Sequence, residues 1–487
     1  LADNPSERSM TVLAIDQGTS GTKALVVDPA DGVLAVAEIP LRPTYLADGG
    51  VEQDPGKLLD SVLTAGTRAL SEAGRPVQAV ALANQGETVL AWDPATGRPL
   101  SAALVWQDRR AESLCAQLSD HAELIAQRTG LVLDPYFSAP KMAWLRRHLT
   151  TQGVVTTTDT WLIHHLTGAF VTDAATASRS LLTDLDEVSW DPQLADLFGL
   201  EGERMPQIVA CDDTVGTTTA FGPRLPVAGL VVDQQAALLA EGCLTPGTAK
   251  CTFGTGAFLL ANTGRWAPRS RSGLATSVAW RIREHTSYCL DGQVYTAASA
   301  VRWLADLGFI ETAADLDGVA ADDAAGVLSV PALAGLGAPW WRPDAKAAFT
   351  GVTLSTRREH LVLAVLQGIA AQVAELADCV SGDLGTPLER LRVDGGLTRS
   401  RTLMQATADL LQIPVDVYSS PHATALGAAA MARLALDPDL AVEQAASDWT
   451  AQISYEPHWS ADRAQDHRAR WRAAVEAALP QEDENPV

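Results

Sequence analysis

Two stretches of this chain share one plan, the first at its start and the second just past its middle. Thr11-Val-Leu-Ala-Ile-Asp16 runs through Gln17-Gly18-Thr19-Ser20-Gly21-Thr22-Lys23 into Ala24-Leu-Val-Val-Asp28. Thr248-Ala-Lys-Cys-Thr-Phe253 runs through Gly254-Thr255-Gly256 into Ala257-Phe258-Leu-Leu-Ala-Asn-Thr263. Each reads as a strand, a Gly/Thr turn and a strand. The glycines allow close backbone approach, and hydroxyls and free N–H groups in the turn suit phosphate oxygens. An ordinary hairpin would satisfy either stretch alone. The pair, each opening a half of comparable length, predicts a duplicated α/β domain with a ligand between the halves. The expected division is 10–247 and 248–487, with the polar residues 1–9, ahead of Met10, a tag remnant or disordered extension outside the fold. Neither turn is a P-loop or a dinucleotide fingerprint, because GxxxxGK[ST] and GxGxxG are missing from the contexts they require.

Between the hairpins, Leu230-Val-Val232 delivers Asp233 and then turns helical through Gln234-Gln235-Ala-Ala-Leu-Leu239. A buried strand ending in Asp opens toward the ligand side of an α/β sheet. The same pattern also suits a plain helix cap. With the two turns beside it, Asp233 is the candidate catalytic base.

The remaining chain supplies a second side to that site. A strand at Gly32–Glu38 and an amphipathic helix from Asp54 to Ala73 precede a buried strand, Val77–Ala83, ending in Asn84-Gln85-Gly86-Glu87-Thr88. Glu87 thus stands at a strand end, able to accept hydrogen bonds from a ligand hydroxyl, or else is a solvated loop carboxylate. Leu104-Val-Trp106-Gln-Asp-Arg109-Arg110 reads as a further strand delivering Trp106, and Thr129 to Leu145 as a loop carrying Tyr136 into a helix. Helices are expected at Ala297–Leu307, Glu359–Val380, Arg399–Leu411, Ala423–Ala435 and Ala461–Leu479, with a strand at Val415–Tyr418. His164-His165 has no third ligand at metal spacing and reads as structural.

A formal charge of −23 argues against a nucleic-acid surface or an anionic membrane as partner. Six scattered cysteines with no CxxC pair fit reduced thiols in a cytoplasmic protein. No apolar run approaches the roughly 18 residues of a membrane span.

Taken together, the first hairpin, Asn84-Gln-x-Glu87-Thr88, Trp106-Gln107-x-Arg109-Arg110, Thr129 to Leu145 and Asp233-Gln-Gln235 resemble the FGGY family of carbohydrate kinases, and its glycerol-kinase branch in particular. Later matches are Lys250-x-Thr252-Phe253-Gly-Thr-Gly256, Gly335-Leu-Gly-Ala-Pro-Trp-Trp341, Gly351-Val-Thr353 and Val393-Asp-Gly395-Gly396-Leu-Thr398. The resemblance implies a two-domain, actin-like (ribonuclease H-like) ATPase fold with the active site in the cleft between domains, and ATP with Mg²⁺ as cofactors. Asp233 would deprotonate the attacking hydroxyl of a small polyol or sugar. Gly86, Glu87, Trp106, Tyr136, Asp233, Gln234 and Phe258 would bind that substrate. Gly18, Thr19, Ser20, Lys23, Gly254, Thr255, Ala298, Arg302, Gly395, Gly396 and Ser400 would lie along ATP, with Asp16 near Mg²⁺. Phosphoryl transfer needs positioning more than a tuned base, so Asp233 is expected close to its ordinary pKa.

One departure stands out. Where glycerol kinases carry an Arg that binds a terminal hydroxyl, this chain has Gly86. The expected vacancy beside Glu87 would admit a tetritol, pentitol or ketose, while glycerol with a rebuilt contact is the plainer reading. A pentulose kinase, or a non-catalytic actin-like ATP-binding sensor, are the alternatives, and the resemblance leaves room for a homodimer.

Overall fold

The computed structural model describes residues 10–446 and 449–480. The expectation for residues 1–9 lies outside the described residues. Two mixed sheets repeat one topology. In the first, strand Val12–Gln17 pairs antiparallel with Gly21–Asp28, which pairs with Gly32–Pro40. On its other side Val12–Gln17 runs parallel to Ala79–Asn84, and that strand parallel to Leu225–Val232. In the second sheet Ala249–Phe253 pairs antiparallel with Ala257–Gly264 and parallel with Leu391–Asp394, which is parallel to Val415–Tyr418. Each duplicated half therefore places a Gly/Thr hairpin beside parallel strands that arrive much later in sequence.

Helix Pro55–Ala73 starts where expected because the Asp54 carboxylate accepts from the N–H groups of Gly56 and Lys57, and it ends on left-handed Gly74. Helix Ala423–Leu436 lies against helix Asp233–Ala240 across the boundary between the halves. Its alanines and glycine make this approach possible: a Cβ at Gly427 would run into the Ala236 backbone carbonyl. One apolar core accordingly contains Val12, Val231 and Ala236 from the first half with Leu260, Val278 and Ala428 from the second.

Two expectations are corrected. Helix Arg358–Leu384 is, among the described residues, long and apolar enough to cross a membrane, against the expectation of no such run. It is a core helix, packed on strands Ala257–Gly264 and His285–Val294 and on helix Arg401–Leu411. The run Leu104–Arg110 is not a strand beyond Ala103–Leu104. Asp108 breaks it, accepting from the N–H groups of Val51 and Arg110 and from the Arg110 guanidinium, so that Trp106 stands on a turn. His165 bonds the Gly97 carbonyl and His164 packs on Trp92, consistent with structural roles.

Candidate active site

The parallel strands of the first sheet end in register, with Gln17 opposite Asn84 and Asn84 opposite Val232. Whatever follows these three residues is delivered to one place, the carboxyl edge of the sheet. After Val232 comes Asp233, the first residue of a helix, whose Oδ1 accepts the Gln234 N–H at 2.7 Å. Burial, assisted by the charge of Asp16, pushes the Asp233 carboxyl up to about 7. This corrects the expectation of an ordinary pKa, because the carboxylate is half-buried in the cleft with Asp16 close by.

After Asn84 come Gly86 and Glu87. Glu87 has φ 59°, and the Thr88 N–H donates to the Gly86 carbonyl at 2.7 Å, the signature of a strained γ-turn. The solvated-loop reading fails, since Glu87 is buried and its Oε1 accepts from the Nε of Arg179. The vacancy expected at Gly86 is also absent. A Cβ there would lie 2.8 Å from Val232 Cγ2 and 3.9 Å from Arg179 Nε, so a methyl group and a guanidinium from elsewhere in the chain occupy the space.

These residues border a cavity of about 190 Å³ that Trp106, Gln107, Tyr136 and Phe258 close on one side and the turns Thr19-Ser20 and Gly254-Thr255 on the other. Trp106 meets Tyr136 and Phe258 edge-on, at centroid distances of 5.5 and 5.8 Å, making an apolar wall opposite the carboxylates. The Trp106 indole N–H donates to Thr19 Oγ1, which donates to Gln85 Oε1, tying the wall to the first hairpin. Lys141, wholly buried, donates to the carbonyls of Pro135, Tyr136 and Phe137 and so fixes the loop that presents Tyr136. Gln234 is held in turn, its Oε1 accepting from Lys250 Nζ at 2.6 Å.

On the nucleotide side, the second turn meets the start of helix Ala298–Asp306, with Ala298 N–H donating to the Gly254 carbonyl. Arg302 is exposed one turn further along. Gly395 and Gly396 follow strand Leu391–Asp394, which lies beside the second hairpin. The Ser400 hydroxyl donates to Asp317 Oδ1 and caps helix Arg401–Leu411. Lys23 faces Asp16 across the first hairpin. Burial and the charges of Asp394 and Glu38 raise Asp16 to about 6 despite Lys23. Asp394 Oδ1 is buried nearby without a hydrogen-bond partner. These two carboxylates fit Mg²⁺ held chiefly by phosphates and water, and no cluster of three His, Cys, Asp or Glu capable of caging a metal exists among the described residues.

Sequence reasoning missed Arg179 and gave Lys141 and Lys250 no role. Arg179 is the lone charge in the small-residue run Ala174-Ala-Thr-Ala-Ser-Arg-Ser180, and the two lysines are among only five in the chain. A charged residue in such a setting signals a buried partner.

The fold and cleft define a two-domain kinase built around a duplicated phosphate-binding hairpin. The N-terminal domain profile of the FGGY family of carbohydrate kinases matches residues 11–240 and the C-terminal domain profile residues 249–436, and the chain belongs to that family. It is an ATP-dependent phosphotransferase acting on a small polyol or sugar, with ATP and Mg²⁺ as cofactors. It is 41% identical to glycerol kinase of Bordetella parapertussis over 96% of both chains and 38% identical to glycerol kinase 2 of Thermotoga maritima over 96% of this chain and 98% of that one. Plasmodium falciparum glycerol kinase with ADP superposes with a TM-score of 0.88 at 31% identity, covering 97% of this chain and 99% of that one. A xylulose kinase from Rhodospirillum rubrum, 24% identical with a TM-score of 0.83 over 96% of this chain and 98% of its own, shares the fold.

Proposed function

We propose that the chain phosphorylates a terminal hydroxyl of glycerol, with Asp233 as the base. The observation that carries this reading is the position of Asp233 on one small cavity with Glu87, the aromatic wall and both Gly/Thr turns. Asp233 takes the hydroxyl proton as the oxygen bonds to the γ-phosphorus of ATP in line with the departing β-phosphate oxygen, giving a phosphate ester and ADP. Its raised pKa makes it a stronger acceptor than a solvated carboxylate, and Gln234 N–H orients it. Glu87 accepts a second hydroxyl through the oxygen that Arg179 leaves free, while the carbon face of the polyol lies on Trp106 and Phe258. Gly18, Thr19, Ser20, Gly254 and Thr255 surround the phosphates; Lys23, Ala298, Gly395 and Gly396 lie along the nucleotide. Mg²⁺, near Asp16, supplies neutralisation of phosphate charge when bound.

Glycerol is favoured over a larger polyol because no extra space opens beside Gly86, where even a Cβ would lie 2.8 Å from Val232 Cγ2. A four- or five-carbon substrate is the second reading. What favours it is a separate chamber of about 340 Å³ that shares Trp106, Gln107 and Tyr136 and continues toward Arg109 and Tyr295. ADP release with glycerol, erythritol, the pentitols and xylulose under Mg-ATP tests both: the reading fails if a longer substrate exceeds glycerol in kcat/KM. Reduced, unpaired cysteines, five of the six buried, support a cytoplasmic setting.

A further inference from the structure

Arg179 sits where three groups with separate purposes meet. It follows the short helix Ala174–Ser178, whose start the Asp173 carboxylate caps through the N–H groups of Ala175 and Thr176. The same segment docks on the second half, where the Val278 N–H donates to Ser178 Oγ at 3.0 Å. From this anchored end the guanidinium reaches three ways. Its Nε donates to Glu87 in the first half, one terminal nitrogen donates to Asp291 at 2.5 Å on strand His285–Val294 of the second half, and the other reaches Tyr136 Oη at 3.4 Å. All four side chains are buried.

We propose that Arg179 is a positioning residue for the polyol, holding the Glu87 carboxylate and the Tyr136 ring in place and doing so only while the Asp291 strand is docked. The proposal rests on the reading of Glu87 as a polyol ligand. Three observations carry it. Glu87 occupies a left-handed backbone conformation that only an over-determined surrounding retains, and among the described residues Arg179 is the side chain that donates a hydrogen bond to its carboxylate. A fork of fixed N–H directions can orient two carboxylates and a phenol at once, which a point charge on a flexible stem does not do. Arg179 also shares its charge between the halves, so a polyol hydroxyl that draws on Glu87 is coupled to the contact with the second half. The charged or titratable groups around Glu87 are Arg179, Lys141 and Asp233, with Tyr136 beside them. Arg179 is the one that touches it and also spans the halves. It does not line the cavity itself, so its effect is exerted through Glu87 and Tyr136.

The test uses the full-length enzyme and ADP release with glycerol and Mg-ATP, with Arg179→Gln, Arg179→Lys and Asp291→Asn. Arg179→Gln is expected to raise the KM for glycerol about tenfold or more while the KM for ATP moves less than about twofold. Added guanidinium chloride at millimolar concentration should recover part of that loss, and Arg179→Lys should recover less because it lacks the fork. Asp291→Asn should shift the glycerol KM in the same direction, and the double variant Arg179→Gln/Asp291→Asn should be no worse than Arg179→Gln alone. Equal effects on the two KM values, a change in kcat alone, or strictly additive losses would overturn the proposal and leave Arg179 a folding residue. Should Arg179→Gln fail to fold, Asp291→Asn and its glycerol-to-ATP KM ratio decide the matter. Absence of turnover with glycerol in the unaltered enzyme would instead defeat the functional reading, and direct titration of each polyol into the unaltered enzyme and Asp291→Asn would then decide the positioning role.

Discussion

Val232 Cγ2 lies 2.8 Å from the point a Cβ on Gly86 would occupy, so these two residues, at the ends of adjacent parallel strands, are interlocked. Any side chain at 86 must displace a stiff, buried β-branched residue. Gly86→Ala alone is expected to destabilise the enzyme by about 1–3 kcal/mol and to weaken polyol binding. Val232→Gly in the same chain should recover most of the binding. Thermal unfolding and glycerol KM of the single and double variants check this, and a Gly86→Ala enzyme indistinguishable from the parent would show that the interlock is not there.

Lys141 donates to the three carbonyls of the Tyr136 loop, and its charge also acts on Glu87. Lys141→Met removes the donors and leaves buried acceptors unmet, for an expected loss of about 2–4 kcal/mol in stability. Because Tyr136 is one wall of the polyol cavity, the KM for glycerol should rise more than the KM for ATP. Denaturant unfolding and steady-state kinetics measure the two effects separately.

Stability and activity should respond oppositely to pH. Asp16 is raised to about 6, and Glu87, Asp173 and Asp233 to about 7, each chiefly by burial. The folded, ligand-free chain therefore keeps protons that the unfolded chain has released, so stability is lost as pH rises through these values. His467 and Lys141, held down to about 4 and about 7 by burial, act in the reverse sense, but for fewer protons over this range than the four carboxylates. Unfolding scans should place Tm about 2–4 °C higher near pH 6 than near pH 7. Turnover requires ionised Asp233, so kcat/KM for the polyol should fall as pH drops through about 7. A Tm that climbs over that window would contradict the burial of these carboxylates.

The duplicated hairpins, the strand running into Asp233 and the small-residue helix at Ala423–Leu436 were legible because each follows from a local pattern: a continuous apolar run, glycine in a turn, or alanine where helices must touch. The state of Glu87 was not legible. What decides it is Arg179, 92 residues further along the chain, and nothing local to either residue announces the pair. The supposed space at Gly86 failed for the same reason, since a glycine's neighbourhood is set by whatever packs there, here Val232. The Leu104–Arg110 run misled because its composition suits a strand while Asp108 spends its oxygens on backbone N–H groups and ends the pairing.

Asp233→Asn measures the central claim most directly. The substitution keeps shape and removes a buried carboxylate, so thermal stability should be unchanged or higher. Glycerol-dependent ADP release under saturating Mg-ATP should fall by about 10²–10⁴-fold, with the KM for ATP nearly unchanged. An Asp233→Asn enzyme that keeps its parent's kcat would show that the proton leaves by another route and that Asp233 is not the base.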